Sequence, residues 1–299
     1  MRCGIIDIGS NTIRGVGYRV ETNKAVKIED KLVKSHLLHE TVDNCLSEEG
    51  INRLIAVISK LKYVLRNDGC QSIDCFATSS MRGLRNIKEI TDAIFTATAT
   101  EISVLSENEE IEYDFYAMRA NVPEHSAIGL DLGGGSCQLI QFDLNSKLFS
   151  NSFEIGSNRV MRRFVSGLLP TAEERKKIDF FVKNEMVGVS NLFGSRYLYA
   201  MGGTAKSALK LYNKLSNTTQ SGNFLGLDKL ELLSRLPDND DPQKMYDKIS
   251  EIVKSRADTI IPGVTVLKTI CDVLDVDGVY VLSCSVRDGY LIHKIRNNK

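Results

Sequence analysis

The stretch Asp131-Leu132-Gly133-Gly134-Gly135-Ser136 puts a carboxylate, three glycines and a hydroxyl side by side. Consecutive glycines bring backbone N–H groups close to a ligand, and such groups form anion-binding concavities. An aspartate before them and a serine after them suit a phosphate with its metal ion. A glycine-rich hairpin turn explains the same residues without any ligand, so this stretch alone leaves both readings open. Ile6-Asp7-Ile8-Gly9-Ser10-Asn11-Thr12 is a partial copy, with Asp7 in the place of Asp131 and Ser10, Asn11 and Thr12 in the place of the later turn. Gly202-Gly203-Thr204 stands where a strand gives way to a helix and offers a further anion site. Ser106-Glu107-Asn108-Glu109-Glu110 supplies carboxylates, and Arg82 supplies a guanidinium able to hold two oxygens at once.

These residues need elements to present them. Cys3 to Ile8, a run to about Val20, and Lys24 to Lys34 read as a strand meander. Ser47 caps a helix whose apolar positions Ile51, Leu54, Ile55, Ile58, Leu61 and Leu65 recur at helical spacing, ended by Asn67-Asp68-Gly69. Ile73 to Thr78 is a strand, a helix runs to about Ala97, and Ile102 to Leu105 is a strand leading into Ser106. Ser106-x-x-Glu109 has capping-box spacing, which assigns Glu109 to the cap. The second half repeats the plan. A hairpin covers Ala127 to Phe142, and a strand runs near Leu148 to Glu154. A helix opens at Thr171-x-x-Glu174, a strand covers Tyr197 to Met201, and a helix covers Ala205 to Leu215. Ser216 to Gly226 reads as a polar loop, followed by helices near 228–236, 242–254 and 264–273, a strand at Val279 to Leu282, and a terminal helix from about Arg287. Strands alternating with helices after an antiparallel ribbon give an α/β protein of two similar halves.

Composition narrows the classes of function. Lys+Arg and Asp+Glu are both 38, so a nucleic-acid polymer finds no net basic field, and a polyanion needs a local patch. Seven cysteines, without C-x-x-C or Cys/His clustering, fit reduced thiols in a cytoplasmic protein and argue against disulfides or zinc. No apolar run approaches 18 residues and no signal-peptide pattern opens the chain, so neither a membrane nor secretion is expected.

Taken in order, the motifs resemble those of the Ppx/GppA family of exopolyphosphatases and guanosine pentaphosphate phosphohydrolases. They are Asp7 to Thr12, Ala77 to Arg82 with Asn86, Ser106 to Glu110, and Asp131 to Ser136. Gly202 to Thr204, Arg256 to Gly263, and Ser283 with Arg287-Asp288-Gly289 complete the set. The resemblance implies two ribonuclease-H-like lobes of the acetate kinase–Hsp70–actin superfamily facing across a cleft, here about 1–121 and 122–299. The C-terminal helix, about 287–299, is a candidate to pack back on the first lobe. The expected activity is hydrolysis of terminal phosphoryl groups from inorganic polyphosphate, guanosine pentaphosphate, or both.

The resemblance also distributes roles. Glu110 is the expected base that activates water, and Asp7 and Asp131 the expected ligands of Mg²⁺ or another divalent cation. Ser10, Asn11, Thr12, Arg82, Gly133, Gly134, Gly135, Ser136, Gly203 and Thr204 are the expected phosphate-binding residues. A homodimer and the short form, without the C-terminal helical extension of longer members, are further expectations. Departures from the usual pattern are informative. Family members usually carry Ser-Thr-Glu after the glycines, where this chain has Ser136-Cys137-Gln138. Gln138 removes a negative charge from the metal's surroundings. A weakly active or non-catalytic protein that binds polyphosphate or an alarmone is therefore the alternative expectation.

Overall fold

The computed structural model describes residues 1–10, 12–21, 24–34, 40–189, 192, 195–217 and 222–297. Asn11 lies outside the described residues. The chain divides into two compact units, Met1–Glu110 with His293–Lys299, and Ile111–Ile292.

The first unit opens with β1 (Arg2–Ile8), β2 (Thr12–Glu21) and β3 (Lys24–Lys34). The small ladder β4 (Thr41–Val42) and β5 (Cys45–Leu46) follows, then α1 (Glu48–Asn67), β6 (Ser72–Ala77), α2 (Ile87–Thr98) and β7 (Ile102–Val104). The sheet order is β3-β2-β1-β6-β7. The meander pairs antiparallel, and β6 and β7 add in parallel. Helix α1 begins where the sequence predicts, with the Ser47 hydroxyl accepting the Gly50 N–H at 3.1 Å. Its stripe Leu54, Ile58, Leu61 and Leu65 packs with Ile6, Ile8, Ile13 and Ala77 of the sheet and Ile90 and Ile94 of α2. Burial of each such side chain contributes roughly 1.5–3 kcal/mol, and alternation along β1 leaves Asp7 on the opposite face from Ile6 and Ile8.

Helix α3 (Glu107–Arg119) carries the division between units, which falls between Glu110 and Ile111; the sequence reading places a lobe boundary after residue 121. Beyond that point Ile111, Phe115, Ala117 and Met118 join a cluster with Ala127, Ile140, Phe142, Tyr199 and Met201.

The second unit contains β8 (Ala127–Leu132), β9 (Cys137–Phe142), β10 (Lys147–Phe153), α4 (Ser157–Phe164) and α5 (Ala172–Glu185). Then come β11 (Leu198–Met201), α6 (Gly203–Leu215), β12 (Phe224–Gly226), α7 (Leu227–Ser234), α8 (Pro242–Val253), α9 (Ile260–Val273), β13 (Gly278–Val281) and α10 (Val286–Asn297). The order β10-β9-β8-β11-β13 repeats that of the first unit, with the same antiparallel meander and parallel additions. Strand β12 adds antiparallel at the edge. The sequence reading treats that segment as loop, because three residues carry no periodicity and only pairing with β13 makes them a strand. Helix α9 starts at Ile260, before the predicted 264, since Pro262 falls in the first turn, where its missing N–H costs little. It is buried nearly all round and forms the centre of the core on one face of the sheet. The other face packs on α3, and Gly129 permits this: a Cβ there would lie 2.2 Å from Met118 Sδ.

Candidate functional site

In the first unit, Asp7 is the penultimate residue of β1 and is buried. Opposite it in the ladder stands Arg14, whose guanidinium pairs with Asp30 at 2.6 Å. The turn beyond β1 is closed by the Gly9 N–H donating to Thr12 O at 3.1 Å, and Ser10 is buried beside it. Ser80 Oγ donates to Ile8 O at 2.5 Å, which ties the segment after β6 to the end of β1.

That segment carries Arg82. Its Nη2 donates to Glu110 Oε2 at 2.6 Å and its Nη1 to Leu105 O at 3.3 Å. The side chains are 22% and 9% exposed, so water screens the pair only partly. The neighbouring Glu109 does what its spacing predicts. Its carboxylate accepts from the Ser106 N–H and hydroxyl at 2.8 and 2.7 Å, and Ser106 Oγ accepts the Glu109 N–H. These donors, backbone first, hold the Glu109 carboxyl below its ordinary range. Two adjacent glutamates thus have separate work: one caps α3, the other meets an arginine.

In the second unit, the Gly133-Gly134-Gly135 turn is held from one side. Ser157 N–H donates to Gly133 O at 3.0 Å, and the N–H groups of Asn158 and Arg159 donate to Gly134 O at 2.8 and 3.1 Å. Gly156 N–H donates to Gly135 O at 3.3 Å, and a Cβ on Gly156 would lie 2.4 Å from the backbone of Gly134 and Gly135. The first turn of α4 therefore uses its N–H groups on the glycine carbonyls. The N–H groups of Gly134, Gly135 and Ser136 find no acceptor among the described residues. Successive N–H groups of this kind form a nest for an anion.

A second set of donors lies at the start of α6. Gly202 has φ +92°, and a Cβ there would lie 2.3 Å from Asp131 Oδ1, so glycine lets the aspartate lie against this backbone. A Cβ on Gly203 would lie 2.0 Å from Arg256 Nη2. The Arg256 guanidinium thus covers the first turn of α6, an end of the helix where cations are disfavoured and anions favoured. The Thr204 hydroxyl, one of the expected phosphate ligands, is buried and directed at Ser157 Oγ at 3.4 Å, while Ser157 Oγ donates to Gly133 O at 3.3 Å. It supports the turn, and the backbone N–H groups of Gly203 and Thr204 are what remain for a ligand. Arg256, Gly156 and Ser157 receive no role in the sequence reading. Arg256 opens a matched motif without an assigned role, and nothing signals Gly156 or Ser157, because each acts through contacts with residues distant in the chain.

Gln138 stands directly opposite Asp131 in the β8–β9 ladder and is 1% exposed. Its Nε2 donates to Ser136 Oγ at 2.9 Å and Ser152 Oγ at 3.2 Å. The nearby thiols are poor cation ligands. Burial pushes Cys284 up to about 12 and Cys137 well above its ordinary value, with Asp131 and Asp114 adding to both shifts. Among the described residues, no group of three or more His, Cys, Asp or Glu is placed to hold a metal ion. Mg²⁺ demands six oxygens near ideal octahedral geometry and gives up its waters reluctantly. Gln138 offers Asp131 no charged oxygen, and the buried Asp114 of α3 is the other carboxylate acting on both Cys137 and Cys284.

Comparison with known proteins bears on the family and the fold. The profile of the Ppx/GppA phosphatase family matches residues 20–298. Exopolyphosphatase 1 of Mycobacterium bovis is 22% identical over 311 residues, covering 99% of this chain and 88% of the relative. An exopolyphosphatase from Cytophaga hutchinsonii superposes with a TM-score of 0.89 at 20% identity, over 99% of this chain and 98% of that one. A Ppx/GppA family member from Aquifex aeolicus gives 0.79 at 20% identity, over 100% and 99%. At these identities the solved structures speak for the fold.

Proposed function

The chain belongs to the Ppx/GppA phosphatase family, and from that premise we propose that it hydrolyses the terminal phosphoanhydride bond of inorganic polyphosphate. Guanosine pentaphosphate ends in the same anhydride and is the second substrate of the proposal. The observation that carries the reading is the row of N–H groups at Gly134, Gly135 and Ser136, shaped by α4 and directed at no acceptor among the described residues.

Phosphoryl transfer asks the protein for positioned phosphates, charge neutralisation and an oriented water. In this reading the terminal phosphoryl group takes the glycine-turn N–H groups, and the backbone N–H groups of Gly203 and Thr204 take a neighbouring phosphate. Arg82 and Arg256 neutralise charge, with the planar fork that suits phosphate oxygens. Glu110 orients the attacking water and accepts its proton, and phosphate leaves with the shortened chain. Asp7 and Asp131 are the carboxylates that would hold a divalent cation together with phosphate oxygens, and such a cation would offset the charge of the phosphates. Arg82 holds Glu110 at 2.6 Å and so supports the orientation of the candidate base.

The test is phosphate release from polyphosphate by purified protein with Mg²⁺. Glu110→Gln is expected to lower kcat by about 10²–10⁴-fold, the range for loss of a general base. Turnover in that variant within twofold of the parent removes Glu110 from the role. Tight polyphosphate binding by the parent chain without any phosphate release establishes the non-catalytic alternative instead.

A further inference from the structure

Beyond the glycine turn, the second unit has a cavity between the last turn of α4 and one face of α5. Its volume is about 450 Å³, within the range of small-ligand sites. Arg163 comes from α4, and its guanidinium lies over the Phe181 ring at 4.3 Å and the Phe164 ring at 5.3 Å. The two rings hold this cation in place. No carboxylate pairs with it among the described residues, so its N–H donors stay available to an anion. Lys176, Lys177 and Phe180 follow at helical spacing on the face of α5 that lines the cavity. Glu173 is the single acid of the lining. It reaches Lys176 at 3.7 Å with the side chains 69% and 77% exposed, a pairing that water weakens. Lys177 has no ion pair among the described residues. Phe180 is 68% exposed and leaves an aromatic face in water beside these cations.

We propose that this cavity binds a nucleoside di- or triphosphate, with the base stacked on Phe180 and the phosphates on Arg163, Lys176 and Lys177. The lining asks for a planar aromatic group joined to several negative charges. An apolar peptide would leave three cations facing it, and a bare polyphosphate would leave Phe180 unused. Every base has a face that stacks on an aromatic ring, and the Asn184 amide, also in the lining, can donate and accept at its edge. Phe164 is the last residue of α4 and stands seven residues from Ser157, whose N–H holds Gly133 O. That is about 10 Å along the axis at 1.5 Å per residue. The cavity and the glycine turn are therefore two places on one helix, and what fills the cavity is independent of what the turn binds.

α,β-Methylene-ADP is the probe, titrated calorimetrically into the purified chain. Its bridge resists cleavage, so the result stands whether or not the chain turns over polyphosphate. Binding is expected with a Kd of about 10–200 μM. Phe180→Ala should weaken it about tenfold through the lost stacking, and Lys177→Gln about threefold or more. Tripolyphosphate, which has no base, should bind Phe180→Ala as it binds the parent. Phe180 is exposed, so its truncation leaves the core intact; should that variant still fail to fold, Lys177→Gln carries the test. No binding up to about 2 mM overturns the proposal. So does an affinity unchanged in both variants, which would place the nucleotide elsewhere, or an equal loss for nucleotide and tripolyphosphate in Phe180→Ala. A parent dimer that Phe180→Ala splits in sedimentation, and that takes up no nucleotide, assigns the face to a second copy of the chain and overturns the proposal as well.

Discussion

Gly156→Ala is expected to damage the glycine turn although residue 156 lies outside it. The added Cβ would stand 2.4 Å from Gly134 C, Gly134 O and Gly135 C, where ordinary contact begins at 3.4 Å. Either the turn or the start of α4 must give by about 1 Å, and the obstructing atoms are backbone, which no rotamer change can move aside. Four backbone hydrogen bonds of 2.8–3.3 Å join the two segments. A 1 Å displacement stretches them to roughly 4 Å, past the useful limit. Each contributes about 1 kcal/mol net, and partial relaxation saves about half of them, so local opening becomes easier by about 2 kcal/mol. Hydrogen exchange reads this directly. The amides of Ser157, Asn158 and Arg159 should exchange about 30-fold faster, since 1.4 kcal/mol is a factor of ten. Phosphate release should fall by more than any change in thermal midpoint explains. Gly188→Ala is the control: φ there is +92° and no atom lies within 4 Å of the new Cβ, so it carries backbone strain of about 1 kcal/mol with no steric push on the turn. Unchanged exchange at the three amides, with phosphate release within twofold, would refute the claim that α4 shapes the turn.

Three further outcomes are expected. A double-mutant cycle of Arg82→Gln and Glu110→Gln, followed by urea unfolding, should return a coupling of about 1–3 kcal/mol, and a value below about 0.3 kcal/mol shows the pair does not stabilise the first unit. The Glu109 cap adds stability that is present above the ordinary glutamate range and is lost as pH falls through its lowered folded value. The thermal midpoint of the parent chain should therefore drop toward that of Glu109→Gln across this acid window, and a constant gap down to the lowest pH would contradict the assignment. Native protein at pH 8 should react promptly with a thiol reagent at Cys45 alone, because the other six cysteines are buried and burial pushes Cys3 up to about 11 and Cys284 up to about 12; several fast thiols would show the packing to be looser.

Elements that depend on neighbours in sequence were legible. The Ser106–Glu109 and Thr171–Glu174 boxes form as their spacing predicts, and the apolar stripe of α1 marks its buried face. That the two halves share a plan was visible because both carry an aspartate, an apolar residue and a glycine at the same point of a hairpin, and the strand order they share came from the structure. What escaped is set by contact. Gly156 has no side chain to announce a role, and its importance is a distance to another backbone. Arg256 opens one of the matched motifs, yet it gains a role only when Gly203 is found beneath it. Gln138 was legible as a lost charge, yet its anchorage on Ser136 and Ser152 requires β9 and β10 to be paired. Thr204 shows the reverse: its type suggested a ligand, and its burial makes its hydroxyl a strut.

The segment His293–Lys299 belongs with the first unit, and Lys294 Nζ reaches Asp74 at 2.6 Å at the start of β6. The chain therefore completes its earlier half with residues that leave the ribosome after the whole of Ile111–Ile292. During synthesis the β1–β2–β3 meander can form from local contacts, whereas the contacts of Asp74 stay unfinished until translation passes residue 294. The second unit needs no such late piece. Vectorial synthesis thus makes the half that begins first the half that finishes last.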